Sequence, residues 1–467
     1  MTNLVCAWVV MIPWLMGGAF WWVQAISAVV GAVAFFLAVR PSDNRRTLWR
    51  FPIFWLGLLF LAYIVCSAMN PWGVAVQRVS PKLGPINVWD VTVLPHVSWL
   101  PAGVSAVYAQ MGTWRMLVYW TAPWLLVCAW WVAVRRRRSG HRLSLLIFLN
   151  GILTALVVLG ESWHAPAKVL GIYMDPSVDP GMMPLLTTSA GFVNHDAAAA
   201  FLYLSLGAGL AVACRLQVQA REGARDSGLT WVALFGCLII VASFFALGSR
   251  SGLVIAGVLF VLGFGIMLAS SFFQGGRSPG LWLGGAVLLL AVGALLAYEL
   301  RGSNSATLDR WQYLNSHPDI DVRGVLRFES ERMMEPHFWL GWGAGSYRYD
   351  IPPYFYADNN FQSSQAYGGT SYWTDYAHCD WLQLPVEYGV IGASLALAML
   401  LYWYGSALWF VRKLGSVGVV ALLGTVGLLV HALVDFPIFN AAVLILFSLL
   451  LASTIKTGAL SAHRRSK

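Results

Sequence analysis

The sequence predicts an all-α polytopic membrane protein of about 12 transmembrane helices with one large external loop. Three observations predict this fold class. Of the 467 residues, 58% are hydrophobic and only 11% are charged, against about 25% charged in an ordinary soluble domain. Apolar runs long enough to cross a bilayer recur along the whole chain. The connections between them are alternately rich and poor in basic residues, as the positive-inside rule requires.

The length of each apolar run sets the predicted spans. They lie near residues 4–17, 20–39, 52–68, 115–134, 142–161, 197–214, 230–247, 252–272, 280–298, 384–410, 415–431 and 438–455. This pattern divides the chain into residues 1–298 with the first nine spans, a large external loop over residues 299–377, and residues 378–467 with the last three spans and a basic tail.

Short basic connections indicate the orientation in the membrane. They are RPSDNRRTLWR, RRRRSGHR, RLQVQAREGARD, FFQGGRSPG, VRKLG and the tail IKTGALSAHRRSK. These segments alternate along the chain and hold most of its 30 Lys and Arg residues, which predicts that both termini are cytoplasmic. The net charge of +9 therefore reflects topology, and nucleic acid binding is not indicated.

An arginine stands between two predicted spans in FFALGSRSGLVIAG. A charge flanked by apolar helices is costly unless it is paired or faces a polar cavity, so Arg250 is a candidate functional residue. The alternative is an interfacial arginine that reaches the lipid headgroups.

The large loop contains the segment DVRGVLRFESERMMEPHFWLGWGAGSYRYDIPPY, which predicts an amphipathic helix followed by a glycine-rich turn. Arg323, Arg327 and Arg332 supply guanidinium groups, which bind phosphate bidentately. The aromatic residues that follow, Trp342 and Tyr354 among them, suit stacking on sugar rings. The alternative is that they pack the loop or form an interfacial aromatic belt.

The segment YAHCDWLQLPVEYG concentrates titratable groups at the start of an apolar run. Asp380, Gln383 and Glu387 are spaced i, i+3 and i+7 and therefore share one helical face. His378 precedes this helix and is a candidate general base for a sugar hydroxyl. Either Asp380 or Asp435 is a candidate carboxylate to orient it. The alternative is a capped helix end with a solvated face.

Two further polar groups are predicted on the same external face. LLVHALVDFPIFNAAV places His431 and Asp435 four residues apart, and GFVNHDAAAAFLYLSL places Asn194, His195 and Asp196 at the start of a span. Their alternative role is as helix-end polar pairs that contact a neighbouring helix. No metal-ligand spacing supports a metal site, so no metal or other cofactor is expected.

These segments, in this order, resemble the O-antigen ligase and polysaccharide polymerase family of membrane glycosyltransferases. The resemblance covers roughly residues 190–440, and its most specific part is the run H-x-D-x-L-Q-x-x-x-E-x-G that begins at His378. The sequence departs from the family pattern at Cys379, Arg327 and Pro385, none of which removes a charged position.

The resemblance implies a multi-helix fold related to C-type glycosyltransferases, in the bacterial inner membrane, with a periplasmic active site. It implies a donor glycan carried on undecaprenyl diphosphate, an acceptor glycan or lipid A–core, and transfer with inversion and without a metal. The implied catalytic residues are His378, Arg250 and Arg323. The predicted substrate-binding residues are Arg327, Asp380, Glu387, His431, Asp435, Asn194, His195, Trp342 and Tyr354.

Several functions remain open at this point. VDFPIF and WLGWGAGSYRY slightly favour an exopolysaccharide polymerase over a ligase that attaches the finished glycan to lipopolysaccharide core. A flippase or transporter predicts ionisable residues near the membrane midplane, often with related halves, and the sequence has neither. A non-catalytic assembly scaffold would leave Arg250 and His378 replaceable.

Overall fold

The computed structural model describes residues 1–80, 84–164, 190–224, 227–273, 322–357 and 374–465. The helices are α1 (Thr2–Met11), α2 (Trp21–Val39), α3 (Ser42–Trp49), α4 (Pro52–Met69), α5 (Thr113–Ala133), α6 (Arg137–His164), α7 (His195–Arg221), α8 (Gly228–Leu247), α9 (Arg250–Phe273), α10 (Val322–Met334), α11 (Tyr347–Ala357), α12 (Asp380–His431) and α13 (Ala441–Arg465). The strands are β1 (Pro71–Ser80), β2 (Gly84–Val93) and β3 (Gly103–Ala106).

Within these residues, nine helices are long and apolar enough to cross a membrane: α2, α4 to α9, α12 and α13. The predicted first span corresponds to the short helix α1 and the 3-10 turn Ile12–Trp14 that continues it. The predicted span 280–298 lies outside the described residues, so the count of twelve stays a prediction. The helical, polytopic architecture itself is confirmed.

Helix α12 accounts for two of the predicted spans. Its 52 residues would measure about 78 Å if straight, against about 30 Å for the hydrocarbon core of a bilayer. The helix is interrupted at Gly389 and Gly415, both with a φ of 60°. The Asp380 N–H donates to the Ala432 carbonyl at 2.9 Å, so the two ends of α12 meet. The chain therefore crosses and returns, in agreement with the predicted spans 384–410 and 415–431.

Helix α7 forms the centre of the bundle. In its most apolar window 94% of the residues are buried, and it contacts α6, α8, α9, α12 and α13. Its small residues permit this packing: a Cβ on Gly207 would lie 3.0 Å from Gly424 Cα. The first turn of α7 is thereby fixed at one end of the bundle, together with the starts of α9 and α12. We call this the site end.

A small sheet lies at the site end, between α4 and α5. Its strand order is β2-β1-β3; β1 pairs antiparallel with β2, and β1 pairs parallel with β3. The Trp72 indole N–H donates to the Trp342 carbonyl at 2.8 Å, which fastens the sheet to the large loop. The all-α prediction did not include this sheet.

The two termini lie at the opposite end of the bundle. Arg142 donates to the Asn3 side chain at 2.9 Å, and Arg137 donates to Ser461 Oγ at 3.2 Å. The basic connection at residues 135–142 therefore shares an end with the start of α1 and the end of α13. This arrangement agrees with the predicted alternation of basic connections.

Candidate active site

Asp435 lies at the centre of the polar cluster at the site end. It follows α12 in a turn and is 1% exposed. Its Oδ2 accepts a hydrogen bond from Arg323 Nη2 at 3.0 Å, and its Oδ1 accepts one from the Phe436 N–H at 2.9 Å. The same Oδ1 lies 3.3 Å from His378 Nδ1. One buried carboxylate thus connects the predicted base to a predicted phosphate-binding arginine.

His378 adopts an unusual backbone conformation. Its φ is +50°, in the left-handed region that costs a non-glycine residue free energy and is found most often at functional sites. Its ring packs edge-on against Phe436 with centroids 4.8 Å apart. Nδ1 approaches Asp435 at ion-pair distance but, among the described residues, makes no aligned hydrogen bond. Of the two candidate orienting carboxylates, the geometry therefore favours Asp435.

Helix α10 carries two of the three loop arginines to this cluster. Arg323, on its first turn, lies between two carboxylates, because its Nη2 is also 3.6 Å from Asp196 Oδ2. Arg327, one turn later, donates to the Leu433 carbonyl at 2.7 Å. The spacing of four residues puts both guanidinium groups on the face that packs against the turn after α12.

The start of α7 supplies the second carboxylate. Asn194 caps the helix, and its side-chain oxygen accepts from the N–H groups of Asp196 and Ala197 at 2.6 and 3.2 Å. Asp196 accepts a hydrogen bond from Ser249 Oγ at 2.5 Å and lies 3.2 Å from His195 Nε2. Asn194 therefore caps helix α7, and His195 lies beside the cluster. Their predicted contacts with substrate stay predictions.

His431 is fully buried and joins the start of α9 to α7. One ring nitrogen lies 2.8 Å from Ser251 Oγ and the other lies 3.2 Å from the Tyr203 hydroxyl. Ser249 and Ser251 flank Arg250, so the backbone of Arg250 is placed directly at the cluster. Sequence reasoning missed both serines and Tyr203, although both serines lie within the quoted motif GSRSG.

The two carboxylates of the segment YAHCDWLQLPVEYG bond to backbone and side-chain groups of the protein itself. Asp380 is fully buried and accepts from the Ile438 N–H at 2.8 Å. Glu387 accepts from the Gly345 N–H at 2.8 Å and from Gln383 Nε2 at 3.0 Å. We interpret both as supports of the site, and their predicted contact with substrate stays a prediction.

The glycine-rich segment after α10 is a turn, as predicted. Gly341, Gly343 and Gly345 all have positive φ, and Glu387 holds the last of them. Trp342 and Tyr354 do not join the Asp435 cluster. They line a cleft between the small sheet and helices α10 and α11.

The charges in the cluster oppose one another. Burial raises the pKa of the Asp435 carboxyl, and the neighbouring Asp196 carboxylate raises it further, while His378 and Arg323 act in the opposite direction. Asp196, His431 and Asp435 offer atoms within 4.8 Å of one another that could hold a metal ion. However, the Arg323 guanidinium already brings a positive charge to both carboxylates, and Ser251 and Tyr203 engage His431. The metal-free prediction therefore stands as a prediction.

Comparison with known proteins agrees with these motifs. A family model described as O-antigen ligase matches residues 235–397, from within α8 to within α12. No curated protein matches the chain. The matched segment contains Arg250, Arg323 and His378, while Asp435 lies beyond it. The segment 235–397 is therefore similar to the O-antigen ligase family, and the nine apolar helices among the described residues indicate an integral membrane protein.

Proposed function

We propose that the protein is an inverting glycosyltransferase of bacterial surface-polysaccharide assembly. In this proposal it transfers a glycan from undecaprenyl diphosphate to the hydroxyl of an acceptor sugar. The observation that carries the proposal is the contact of Arg323 and His378 with one buried carboxylate, Asp435, at the end of the bundle where Arg250 begins α9. A general base and a cationic anion site are the two groups that this transfer requires.

The base is His378. With the Nδ1 proton on the Asp435 side, Nε2 is the nitrogen that accepts a proton. The Asp435 carboxylate orients the ring and stabilises the imidazolium that forms, as in other histidine–carboxylate pairs. His378 is 21% exposed on its side chain, so an acceptor hydroxyl has access to it.

The arginines stabilise the leaving group. As the acceptor oxygen attacks the anomeric carbon, the bond from that carbon to the phosphate oxygen breaks, and the diphosphate leaves with the electron pair. Arg250, Arg323 and Arg327 supply charge that a soluble enzyme often takes from Mg²⁺. The starts of α7, α9 and α12 add the positive ends of three helix dipoles.

The step balances and inverts the anomeric centre. The hydroxyl proton moves to His378, one C–O bond forms and one breaks, and undecaprenyl diphosphate is released. A single displacement places the new bond on the face opposite the leaving group. Of the other predicted substrate contacts, Asn194, His195 and His431 lie around this centre, whereas Trp342 and Tyr354 line a separate cleft.

In this proposal the reaction takes place on the periplasmic side of the inner membrane. Basic connections at the opposite end support this orientation through the positive-inside rule. Undecaprenyl-linked glycans presented at the outer leaflet would reach the site from the bilayer.

A polymerase and a ligase share this chemistry and differ in the acceptor. The motifs VDFPIF and WLGWGAGSYRY favour a polymerase, which joins one lipid-linked glycan to another. The family description as O-antigen ligase favours the second candidate, transfer of the glycan to lipid A–core.

The test uses purified protein in detergent with a fluorescent undecaprenyl-diphosphate oligosaccharide, with and without lipid A–core. A ladder from donor alone that His378→Ala abolishes supports a polymerase. Product only in the presence of lipid A–core supports a ligase. If several donors give neither product while the protein moves them across a vesicle membrane, the protein is a flippase and the proposal is wrong.

A further inference from the structure

A cleft with a volume of about 490 Å³ lies between the small sheet and the helices α10 and α11. This volume is within the range of sites that bind small molecules. Strand β1 contributes Trp72, the glycine-rich turn contributes Trp342, and α11 contributes Asp350 and Tyr354. The cleft is separate from the Asp435 cluster, and the proposed transfer reaction does not use it.

Two indole rings are fixed in this cleft. Trp72 Nε1 donates to the Trp342 carbonyl at 2.8 Å, and Trp342 Nε1 donates to the Met333 carbonyl at 2.7 Å. The rings meet edge to face, with centroids 5.9 Å apart. Because both indole N–H groups are already bonded, the ring surfaces are what these residues offer to a ligand.

A buried carboxyl group is also part of the cleft wall. Asp350 is 5% exposed, and its Oδ2 has no hydrogen-bond partner within the described part of the chain. Burial raises the pKa of this carboxyl well above its usual range; Ser346 opposes the shift and Glu387 adds to it. A neutral carboxyl can both donate and accept a hydrogen bond. A buried polar atom without a partner is costly, and a ligand hydroxyl would satisfy it.

The rim of the cleft is polar. Arg332, the last arginine of α10, is about half exposed and is held by Glu329 at 3.0 Å. A sugar fits this combination because its C–H faces pack on aromatic rings while its edge hydroxyls bond to a carboxyl and a guanidinium. A lipid chain would leave the Asp350 oxygen unpaired, and the Glu329 carboxylate that already pairs with Arg332 would disfavour a phosphate.

We propose that this cleft binds an oligosaccharide segment of the glycan, apart from the sugar that reacts. The inference rests on the proposed function, because it assumes that the protein handles a glycan. Arg332 is nine residues from Arg323 along α10, which is about 14 Å. The cleft would therefore hold sugars that lie some distance along the chain from the reacting centre and select which glycan is used.

The experiment measures glycan binding and transfer separately. Full-length protein in nanodiscs is applied to an array of defined oligosaccharides, and the glycan that binds best is titrated. We expect Trp72→Ala and Asp350→Ala, which removes both the donor and the acceptor of the carboxyl, each to weaken binding by about tenfold or more, the loss of about 1.4 kcal/mol. The matched control is Trp339→Ala, which removes an exposed indole three residues before Trp342 that does not line the cleft. It should bind like the wild type.

Tyr354→Ala, at a partly exposed position of the cleft, gives a further variant if Trp72→Ala does not fold. Elution as a single species on gel filtration and an unchanged melting temperature show that a variant is folded. Folded cleft variants that bind as tightly as the wild type, or a wild type that binds no glycan on the array, overturn the inference.

A comparison with His378→Ala separates the two proposals. That variant should bind the glycan normally and transfer none of it. If the wild type binds glycan but transfers none, and the cleft variants lose that binding, the cleft assignment stands and the proposed reaction is wrong. If transfer is intact while the cleft variants bind and react normally, the reaction stands and the cleft assignment is wrong.

Discussion

Asp435→Asn removes a negative charge from the centre of the site and keeps the size of the side chain. The Phe436 N–H can still bond to the amide oxygen, so the turn after α12 should keep its shape. The substitution withdraws the charge that faces His378 and Arg323. It therefore tests the proposed roles of these two residues at once.

The expected effect on stability is small because two large quantities oppose each other. The 3.0 Å contact with Arg323 corresponds to about 5 kcal/mol at an effective dielectric constant of about 20. Burying the carboxylate costs several kcal/mol, and Arg323 keeps Asp196 at 3.6 Å. We expect a net change of about 1 kcal/mol in the free energy of unfolding.

The pH dependence follows from the raised pKa of Asp435. A group whose folded pKa exceeds its unfolded value contributes stability that is complete below the unfolded pKa and is lost as the pH rises through the folded value. Above its folded pKa the ionised Asp435 carboxylate therefore gives no stability by this route. The Asn variant resembles the protonated form, so its stability should change less with pH than that of the wild type.

The expected effect on the rate is large. In serine proteases, Asp→Asn at the carboxylate that orients the catalytic histidine lowers kcat by about 10⁴-fold. The contact here is 3.3 Å and not aligned as a hydrogen bond. A loss of about 10²- to 10⁴-fold is therefore expected.

The assay measures the initial rate of glycan transfer per folded molecule, beside the melting temperature. Asp380→Asn is the matched comparison, since Asp380 is also buried and near His378 in sequence, but it bonds to Ile438. It should lose much less activity. A wild-type rate in Asp435→Asn, or equal losses in the two variants, would refute the reasoning.

Three further predictions follow from the same contacts. Glu387→Gln leaves one oxygen for two donors, so its new NH2 group faces either the Gly345 N–H or the Gln383 amide; it should lower the free energy of unfolding by about 1–3 kcal/mol in chemical denaturation, while the transfer rate per folded molecule persists, and an inactive but equally stable variant would contradict this. Gly389→Ala places a Cβ 2.3 Å from the Trp339 carbonyl at a φ of +60°, so it should cost at least about 2 kcal/mol, visible as reduced yield and melting temperature, with Gly405→Ala in open space as the control. Dialysis against a chelator should leave the transfer rate unchanged because Arg323 supplies the charge, and a loss that Mg²⁺ restores would contradict that account.

Much of the fold could be predicted from the sequence because membrane insertion depends on local composition. Each apolar run predicts a helix without reference to its neighbours. The interruption of α12 at Gly415 accordingly lies at the boundary between the predicted spans 384–410 and 415–431. The sheet of β1 to β3 was not predicted. Its strands are held by pairing with one another and by the bond from Trp72 to the glycine-rich turn, which lies far away in sequence.

The residues of the site could be predicted from the sequence, but the contacts between them could not. Charged groups stand out in an apolar chain, so Arg323, His378 and Asp435 could be identified. Which carboxylate faces His378 depends on how the turn after α12 returns to its start. Asp380 is close to His378 in sequence, yet its carboxylate accepts from the Ile438 N–H. Nothing in the local pattern distinguishes these two roles.

The left-handed backbone of His378 has a consequence for protein engineering. A conformation of this kind costs of order 1–3 kcal/mol for a residue with a Cβ, and glycine would adopt it without that penalty. A selection for heat resistance alone should therefore recover His378→Gly as a gain, although it discards the proposed base. Directed evolution of this protein would need to score glycan transfer together with thermal tolerance, because at this one position the proposed activity and the stability are in conflict.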